Sequence, residues 1–334
     1  MEQARMACCR QVRKATHWLA ILFLVPIIAS CSRDESIVVA SHVWLGYEPM
    51  FLAQSLGWLD PQRVQLSETA AATESLAALH AGTIDGAALT LDEVIQARAQ
   101  GLDLRVVLVF NLSVGADVLL VRPPLTELSQ LAGRRVGFEH GAVGHLLVAK
   151  ALDSVGMTLA EIDVVDVAID AHQAAWDAGS VDALASYEPT ASRLRAAGAV
   201  QVFDSSEIPT AIVDVLAFRA ERLNATTRSA LKHLVTAHLR AVDYLQNHPE
   251  DAAFRMARRL DLPVDQVLPS YRGLVLADLI NNHRLMQGDP AILLESSRGL
   301  VNFKLANGLL EEHHDLDGLL EPRYLPRVNG RRRP

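Results

Sequence analysis

Short apolar runs alternate with helical segments along the first part of the chain, and this alternation restricts the fold more than any other feature. Continuous apolar runs are typical of strands buried on both faces, and the segments between them carry helix start and stop signals. Parallel strands need a crossover between them, so the series predicts a parallel sheet with helices on its faces. The predicted strands are residues 37–40, 64–67, 87–89 and 104–110.

The order of the later segments predicts two lobes. A second βα series runs from Arg135 to Phe203, the β-branched run 212–218 is suited to return to the first sheet, and the chain from Asn224 onward is nearly all helical. This order is typical of an α/β fold in which one lobe is inserted into another. We therefore predict a two-segment hinge and a helical C-terminal part, with lobe 1 at 37–122 and 212–320, lobe 2 at 123–211 and a tail at 321–334.

The N-terminus has the pattern of a bacterial lipoprotein signal peptide. Four cations lie within the first fourteen residues, and an apolar run at 18–29, interrupted by Pro26, is too short to span a bilayer comfortably. The run ends in Ala29-Ser30-Cys31, which resembles a lipobox, in which the cysteine is lipidated and becomes the mature N-terminus. We predict a signal peptide at 1–30, lipidation of Cys31 and a tether at 31–36, with an uncleaved anchor helix or a plain signal peptide as the alternatives.

The cysteine content agrees with lipidation and export. Cys8 and Cys9 lie in the segment to be removed, which leaves Cys31 as the sole cysteine of the mature chain. An exported protein with one cysteine forms no internal disulfide, and acylation removes an otherwise exposed thiol. We predict a protein that is anchored by lipid to the periplasmic side of the cell membrane.

The charge of the chain argues against nucleic-acid binding. The formal net charge is −8, and the first 30 residues hold four of the 31 basic residues but one of the 39 acidic ones, so the remainder carries −11. An acidic body without a basic stripe lacks the electrostatic footprint of a nucleic-acid-binding protein. We predict a monomer whose partners are a small-molecule ligand, a permease and the membrane.

Loops at the carboxyl ends of the predicted strands supply the candidate binding residues, because ligands of open α/β sheets bind there. In the first loop, Trp44 and Tyr47 are suited both to stacking on a ligand and to filling the top of a core. The candidates from both lobes are Trp44, Gly46, Tyr47, Thr73, Thr90, Asp92, Glu139, His140, Gly141, Ala142, Tyr187, Glu188 and Asp214.

Two signals in these loops conflict about the charge of the ligand. The glycine-containing turn 141–144 opens a helix, whose N–H groups are suited to a carboxylate, sulfonate or phosphate, although a tight βα connection explains the same pattern. Five acids lie in the loops or near the crossings without a lysine or arginine in the same loops, and buried carboxylates need a counter-charge or donors. Each acid also has a structural explanation, but together they favour a cationic or zwitterionic nitrogenous solute; they are Asp92, Asp117, Glu139, Glu188 and Asp214.

No pattern of catalytic or metal-binding residues stands out. His42, His140 and His145 come from separate lobes and lack the close spacing of metal ligands. The sequence offers no specific Ser-His-Asp or Cys-His arrangement, and no Walker or dinucleotide-binding glycine pattern. We predict a binding protein without a metal or cofactor, and not an enzyme.

Several short motifs carry a family resemblance through their order and spacing. They are the stretch 44–49, the turn 82–87, the helix start 90–93, the segment 131–137, the turn 179–183 and Tyr187-Glu188-Pro189. Together they resemble the periplasmic substrate-binding proteins of ABC importers of the nitrate/taurine/sulfonate type, over roughly residues 37–260. The resemblance implies a type II periplasmic binding-protein fold that closes on a small solute and delivers it to an ABC permease in the inner membrane.

Two other functions are compatible with the same resemblance. A ligand-sensing lipoprotein would use the same fold to present its bound state to a membrane receptor. Similar fungal sequences make a thiamine pyrimidine from their own histidine and pyridoxal phosphate with the aid of a cysteine-rich motif. This chain lacks such a cysteine cluster, and export would separate it from that chemistry, so the enzyme is the less favoured alternative.

Overall fold

The apolar runs of the sequence form eleven strands in the residues that the computed structural model describes, 34–328. The predicted signal peptide, Cys31 and the start of the tether lie outside these residues. The strands are β1 (Ile37–Ser41), β2 (Val64–Glu68), β3 (Gly86–Thr90), β4 (Leu104–Ser113), β5 (Asp117–Val121), β6 (Arg135–Phe138), β7 (Asp163–Asp166), β8 (Ala183–Tyr187), β9 (Val200–Asp204), β10 (Val213–Arg219) and β11 (Leu274–Leu276).

Two separate sheets divide the described chain into two lobes, as the sequence predicts. The first sheet has the order β11-β4-β10-β3-β1-β2, and the second has the order β7-β6-β8-β5-β9. β1 pairs in parallel with β2 and β3, whereas β10 is antiparallel to both β3 and β4. The return of the chain into the first sheet is therefore confirmed, but that sheet is mixed and not wholly parallel.

The strand β5 is placed in the wrong lobe by the sequence-based boundary at residue 122. β5 pairs antiparallel with β8 and β9 of the second sheet, so the first crossing between lobes lies at residues 114–116. Both β4 and β5 are buried apolar strands, and their hydrophobic pattern does not show which sheet each one joins. The pair Pro123-Pro124 follows β5 within the second lobe.

The two crossings lie side by side and form a two-segment hinge. Ser113, at the end of β4, has its hydroxyl 2.7 Å from that of Ser205, and its N–H donates to the carbonyl of Ile212 at 3.0 Å. Ser205 also accepts from the N–H of Gly115 at 2.7 Å. These hydrogen bonds join the outgoing segment to the returning one, so both must move together when the lobes move.

Eleven helices of the described residues cover the sheets. Several begin or end where the sequence predicts, for example at Pro249, since proline fits the first helical turn. They are α1 (Glu48–Ser55), α2 (Ala72–His80), α3 (Leu91–Ala99), α4 (Val143–Asp153), α5 (His172–Asp177), α6 (Thr190–Ala196), α7 (Arg228–Asn247), α8 (Pro249–Leu260), α9 (Val264–Ser270), α10 (Leu279–Met286) and α11 (Ile292–Ala306).

The predicted tail is wrong over its first part. Pro322–Tyr324 forms a short 3₁₀ helix, Tyr324 is buried, and the N–H of Glu321 donates to the carbonyl of Val106 at 2.8 Å. Leu320 forms an isolated bridge with the same Val106. Within 34–328, no helix combines the length and the apolar character that crossing a bilayer requires.

A buried ion pair fixes the last helix to the first lobe. Lys304 of α11 lies 3.3 Å from a carboxylate oxygen of Asp92 on α3, and both side chains are almost completely buried. Breaking a buried pair on one side leaves an uncompensated charge, which is far more costly than losing an exposed pair. The docking of α11 on α3 therefore depends on Lys304.

We expect Lys304→Met to lower the free energy of unfolding by about 3–5 kcal/mol, because Asp92 would remain buried without its partner. The control is Arg298→Met on the same helix, whose pair with Glu295 is half exposed and should change stability by less than about 1 kcal/mol. Urea denaturation of both variants measures the difference. Equal midpoints for the two variants would contradict this account.

Candidate functional site

A narrow cavity lies between the two lobes at the carboxyl ends of the central strands. Its volume is about 20 Å³, roughly the space that one water molecule needs, so the lobes are closed. The lining residues from the first lobe are His42, Trp44, Tyr47, Ala72, Thr90, Glu93 and Asp214, and those from the second are Asp117, Glu139, Ala142, Val143, Gly144, Leu147, Ile169, His172, Ala185, Ser186 and Tyr187.

The structure brings seven of the thirteen predicted residues into this cavity. They come from five different loops or strand ends, as expected for an α/β cleft. The seven are Trp44, Tyr47, Thr90, Glu139, Ala142, Tyr187 and Asp214, and the six outside the lining are Gly46, Thr73, Asp92, His140, Gly141 and Glu188.

Aromatic side chains of the first loop meet a tyrosine of the second lobe. The Trp44 ring lies 4.9 Å from that of Tyr187 in an edge-on arrangement, and His42 lies 5.4 Å from Tyr47 in the same manner. All four side chains are buried. They form an apolar wall on which a flat or cationic group can stack.

Helices of the C-terminal part hold this loop in place. Glu48, at the start of α1, forms an ion pair with Arg259 of α8, and the hydroxyl of Tyr271 donates to the carbonyl of Leu45 at 2.9 Å. Because residues at the ends of short loops are otherwise mobile, these contacts fix the direction in which the aromatic rings point. The helical C-terminal part thus positions the site without lining it.

Gly46 supports the site by its small size. A β-carbon at this position would lie 1.7 Å from the amide oxygen of Asn111, so only glycine allows the loop to pass there. Asn111 in turn donates its amide to Asp214 at 2.7 Å. Gly46 was predicted to bind ligand, but the structure gives it this packing role behind the cavity.

Asp214 is the most strongly hydrogen-bonded carboxylate of the cavity. It projects from β10 and accepts from the hydroxyl of Tyr47 at 2.6 Å as well as from Asn111. Burial, and then the nearby charge of Asp117, raises the pKa of Asp214 to about 8. Near neutral pH this group is therefore mostly protonated.

Asp117 is a second cavity carboxylate, and it lacks a full set of partners. It begins β5 beside the hinge, is 3% exposed, and has an oxygen, Oδ2, that is buried and accepts no hydrogen bond from the described residues. Burial raises the pKa of Asp117 to about 7. The sequence places this residue near a crossing, but nothing in its local pattern shows that it faces the cleft.

Glu93 is a cavity residue that sequence reasoning missed. The pattern Thr90–Glu93 indicates a capping box, and one oxygen of Glu93 does accept from the N–H of Thr90 at 2.8 Å. The other oxygen accepts from the N–H of Val143 in the second lobe at 3.1 Å. Burial, and then the charge of Asp92, raises the pKa of Glu93 well above its ordinary value. Because the capping pattern already accounts for Glu93, the sequence gives no sign of its contact with the second lobe.

Glu139 makes the corresponding contact in the opposite direction. It follows β6 of the second lobe and accepts from both the N–H and the hydroxyl of Thr73 in the first lobe, at 2.9 and 2.6 Å. Thr73 therefore contacts the cavity through Glu139, without lining it. Both residues were candidates, but the hydrogen bonds between them were not anticipated.

Two predicted acids point away from the cavity because they have their own cations. Asp92 pairs with Lys304, and Glu188 accepts from Arg195 of α6 at 2.7 Å. No lysine or arginine lies in the same loops as these acids, but cations from other parts of the fold neutralise both, so neither acid needs a cationic ligand. Lys304 is 212 residues away from Asp92 along the chain, which is why the local sequence does not reveal it.

The predicted residues around the 140–144 turn lie at the rim. His140 is exposed, and its N–H donates to Asp166 at 2.9 Å. Gly141 has a φ of +83°, which favours glycine, and its N–H is 3.4 Å from His145. These two residues shape the turn that leads into α4, while Ala142 alone of the three reaches the cavity.

Neutral histidines complete the cavity, which is therefore acidic. Burial lowers the pKa of His172 to about 4, and it lowers that of His42 to about 4 together with the charge of Arg259. His172 lies 3.1 Å from the hydroxyl of Ser186. Among the described residues that line the cavity there is no lysine or arginine. Residues 34–328 also contain no cluster of three or more His, Cys, Asp or Glu side chains suited to a metal ion.

Comparison with known proteins supports the family resemblance. A family model described as the NMT1-like family matches residues 32–260. An Escherichia coli (strain K12) protein named for binding aliphatic sulfonates is 29% identical over 194 residues, which are 55% of this chain and 60% of that protein. The chain thus spans about three fifths of the curated relative that it matches.

Solved structures confirm the fold. The alkanesulfonate-binding protein from Xanthomonas axonopodis pv. citri bound to MOPS superposes with a TM-score of 0.74 at 19% identity, covering 87% of this chain and 99% of that one. A Candida albicans gene product described as having the generic periplasmic binding protein fold gives a TM-score of 0.68 at 16% identity, covering 88% and 99%. The predicted two-lobed α/β fold of the periplasmic binding proteins is therefore confirmed.

The cavity carboxyl groups should make the protein less stable as the pH rises from 6.5 to 8. Asp117 and Asp214 have a pKa raised to about 7 and about 8, so in this window the folded protein binds more protons than the unfolded chain, and stability falls with pH. His42 and His172, whose pKa is lowered to about 4, act in the opposite direction, mainly below pH 6.5 and with an effect that fades about one pH unit above it.

Urea denaturation at pH 6.5, 7 and 8 measures this effect, which we expect to be on the order of 1 kcal/mol or more. The variant Asp214→Asn has no carboxyl group at this position and should show a flatter dependence. Stability that stays constant or increases over this range in the unmodified protein would show that the cavity carboxyl groups titrate normally.

Proposed function

The chain belongs to the NMT1-like family, and we propose that it is an exported solute-binding protein that delivers a small nitrogen-containing solute to an ABC permease. The family, the fold and the names of its relatives support a role in solute binding. The charge of the cavity supports the chemical class of the solute. The closed lobes support a mechanism in which the ligand binds the closed form more tightly than the open one.

The observation that carries the ligand class is the buried oxygen of Asp117 that accepts no hydrogen bond. A buried carboxylate without enough donors is costly, and the cost falls when a cation or a rich set of N–H donors approaches it. Asp214, Glu93 and Glu139 line the same cavity. A solute with an amine or a comparable cationic group would neutralise this cluster.

The aromatic wall supports the same class of solute. Trp44 and Tyr187 meet edge to face, and a cation over an aromatic ring gains roughly 0.5–2 kcal/mol. A solute with a cationic group could therefore stack on these rings while its charge faces the cavity carboxyl groups.

Binding should respond to both the charge of the solute and the charge of Asp117. We expect amines, amino sulfonates or nitrogen heterocycles to raise the melting temperature of the purified protein by several degrees, since a ligand at a hundredfold excess over its dissociation constant stabilises by about 2.7 kcal/mol. The variant Asp117→Asn should lose most of this shift. Asp265→Asn, which removes the same charge from an exposed site on α9, should keep it.

A thermal-shift screen with these compounds, nitrate and simple alkanesulfonates tests the proposal. Stabilisation by the anions alone, retained in Asp117→Asn, would overturn the proposed ligand class. Turnover of a bound compound would favour the enzyme alternative. Stabilisation without transport in a strain that carries the intact permease would favour the sensing alternative.

The lipobox motif supports export with an N-terminal lipid anchor. Cys31 follows small residues after a short apolar run, the arrangement of lipoprotein signal peptides. A tethered binding protein stays close to its permease, which raises the effective concentration of the solute-bound form there. Membrane attachment is thus part of the proposed delivery mechanism.

Substituting the lipidation site should detach the protein from the membrane. In bacterial cells that express the whole chain, we expect Cys31→Ser to move the protein from the membrane fraction to the soluble extracytoplasmic fraction or to leave an uncleaved precursor. The control, Cys9→Ser, changes a cysteine in the segment to be removed and should have no effect. Mass spectrometry of the N-terminus measures the lipid, and an unlipidated mature N-terminus in the unmodified protein would contradict the proposal.

A further inference from the structure

Two glutamates each reach across the cleft to the start of a helix in the other lobe. Glu93 of the first lobe accepts from the N–H of Val143, the first residue of α4, at 3.1 Å. Glu139 of the second lobe accepts from the N–H of Thr73, the second residue of α2, at 2.9 Å. The two contacts are reciprocal, so each lobe contributes one carboxylate and one helix start.

A helix start is a favourable place for an anion. Its first N–H groups have no partner within the helix, and the aligned peptide dipoles place a partial positive charge there. Sulfonates, phosphates and carboxylates bind at such positions in many proteins. In this cleft, carboxylates of the protein itself occupy both positions.

We propose that Glu93 and Glu139 determine the charge selectivity of the cleft, because they occupy the helix starts that would otherwise hold the anionic group of a solute. An anionic solute would have to displace a carboxylate of the protein or lie beside it, and both are unfavourable. A cationic solute meets no such conflict. This inference rests on the proposed function, since it explains why the cleft takes a nitrogenous solute.

Other atoms of the cavity support the assignment of these helix starts to a ligand cleft. The side chain of Asp117, whose Oδ2 has no hydrogen-bond partner in the described residues, lines the same cavity, and so does the ring of His42, which has a buried nitrogen without a partner there. Both residues are at least 95% buried. The two glutamates line this cavity as well.

Both glutamates are buried, which strengthens their effect on a charged solute. Glu93 is 1% exposed and Glu139 is 7% exposed, so bulk water screens neither group. A protein of the same fold is described as an alkanesulfonate-binding protein bound to MOPS, which is a solute with a sulfonate group. In this chain the two glutamates would oppose the entry of such a group at either helix start.

The test compares two probes of the same length, propylammonium and propanesulfonate, by isothermal titration calorimetry. The double variant Glu93→Gln/Glu139→Gln removes both charges and keeps one acceptor oxygen at each position, although at residue 93 the amide nitrogen replaces one of the two oxygens that accept from Thr90 and Val143. We expect it to bind propanesulfonate at least tenfold more tightly than the unmodified protein does. Circular dichroism and the melting temperature establish that the variant is folded, and each single glutamine variant is measured in case the double one is not.

Two controls test whether a carboxylate must lie at a helix start between the lobes to oppose anion binding, or whether its charge alone is enough. Glu74→Gln removes an exposed carboxylate that accepts from Ala70 at the start of α2 within the first lobe, and Asp117→Asn removes one from the cavity away from any helix start. Neither should gain affinity for propanesulfonate to the same extent. An equal gain in Asp117→Asn would show that net charge alone decides and would overturn the proposal.

The same titrations test the proposed ligand class separately from the role of the two glutamates. Failure of the unmodified protein to bind propylammonium would count against the ligand class, whereas a gain of propanesulfonate binding in the glutamine variants would still support the charge filter. Tight binding of propanesulfonate by the unmodified protein, or no gain in any folded glutamine variant, would overturn the inference about Glu93 and Glu139.

Discussion

Burial of carboxyl groups between the lobes is the constraint on which the properties of the cleft depend. Asp117, Asp214, Glu93 and Glu139 line one narrow cavity that no lysine or arginine of the described residues enters. Low effective dielectric makes such groups costly as anions, so the protein supplies hydrogen-bond donors to them, and burial raises the pKa values of Asp117, Asp214 and Glu93. Because burial between the lobes raises these pKa values, we expect closure of the cleft to favour proton uptake.

The hydrogen bonds of the four carboxyl groups are unequal. Asp214 is held by Tyr47 and Asn111, both of the first lobe, so its position does not depend on the other lobe. Glu93 and Glu139 each accept from an N–H of the opposite lobe, so an opening of the cleft would break these bonds. Asp117 keeps an oxygen that accepts no hydrogen bond from the described residues.

The sequence predicts the fold well because the fold depends on patterns that are local. Apolar runs and helix caps are read within a few residues, and the two lobes follow from their order. The lobe membership of β5 is not local, since it depends on which strands lie beside it. The same holds for the acids. Asp92 is paired by Lys304, which lies 212 residues later, so its exclusion from the site requires the tertiary structure.

Glu93 shows why a cavity residue can be missed in the sequence even when its role in capping a helix is recognised. The capping pattern accounts for the hydrogen bond to one of its oxygens, so the sequence gives no reason to expect a second role for this residue. A carboxylate has two oxygens, however, and the second one of a buried cap must also find a donor. In this chain that donor is Val143 of the other lobe. A buried capping glutamate near a cleft is therefore a candidate for contact between domains, because its cap satisfies half of its hydrogen-bonding capacity at most.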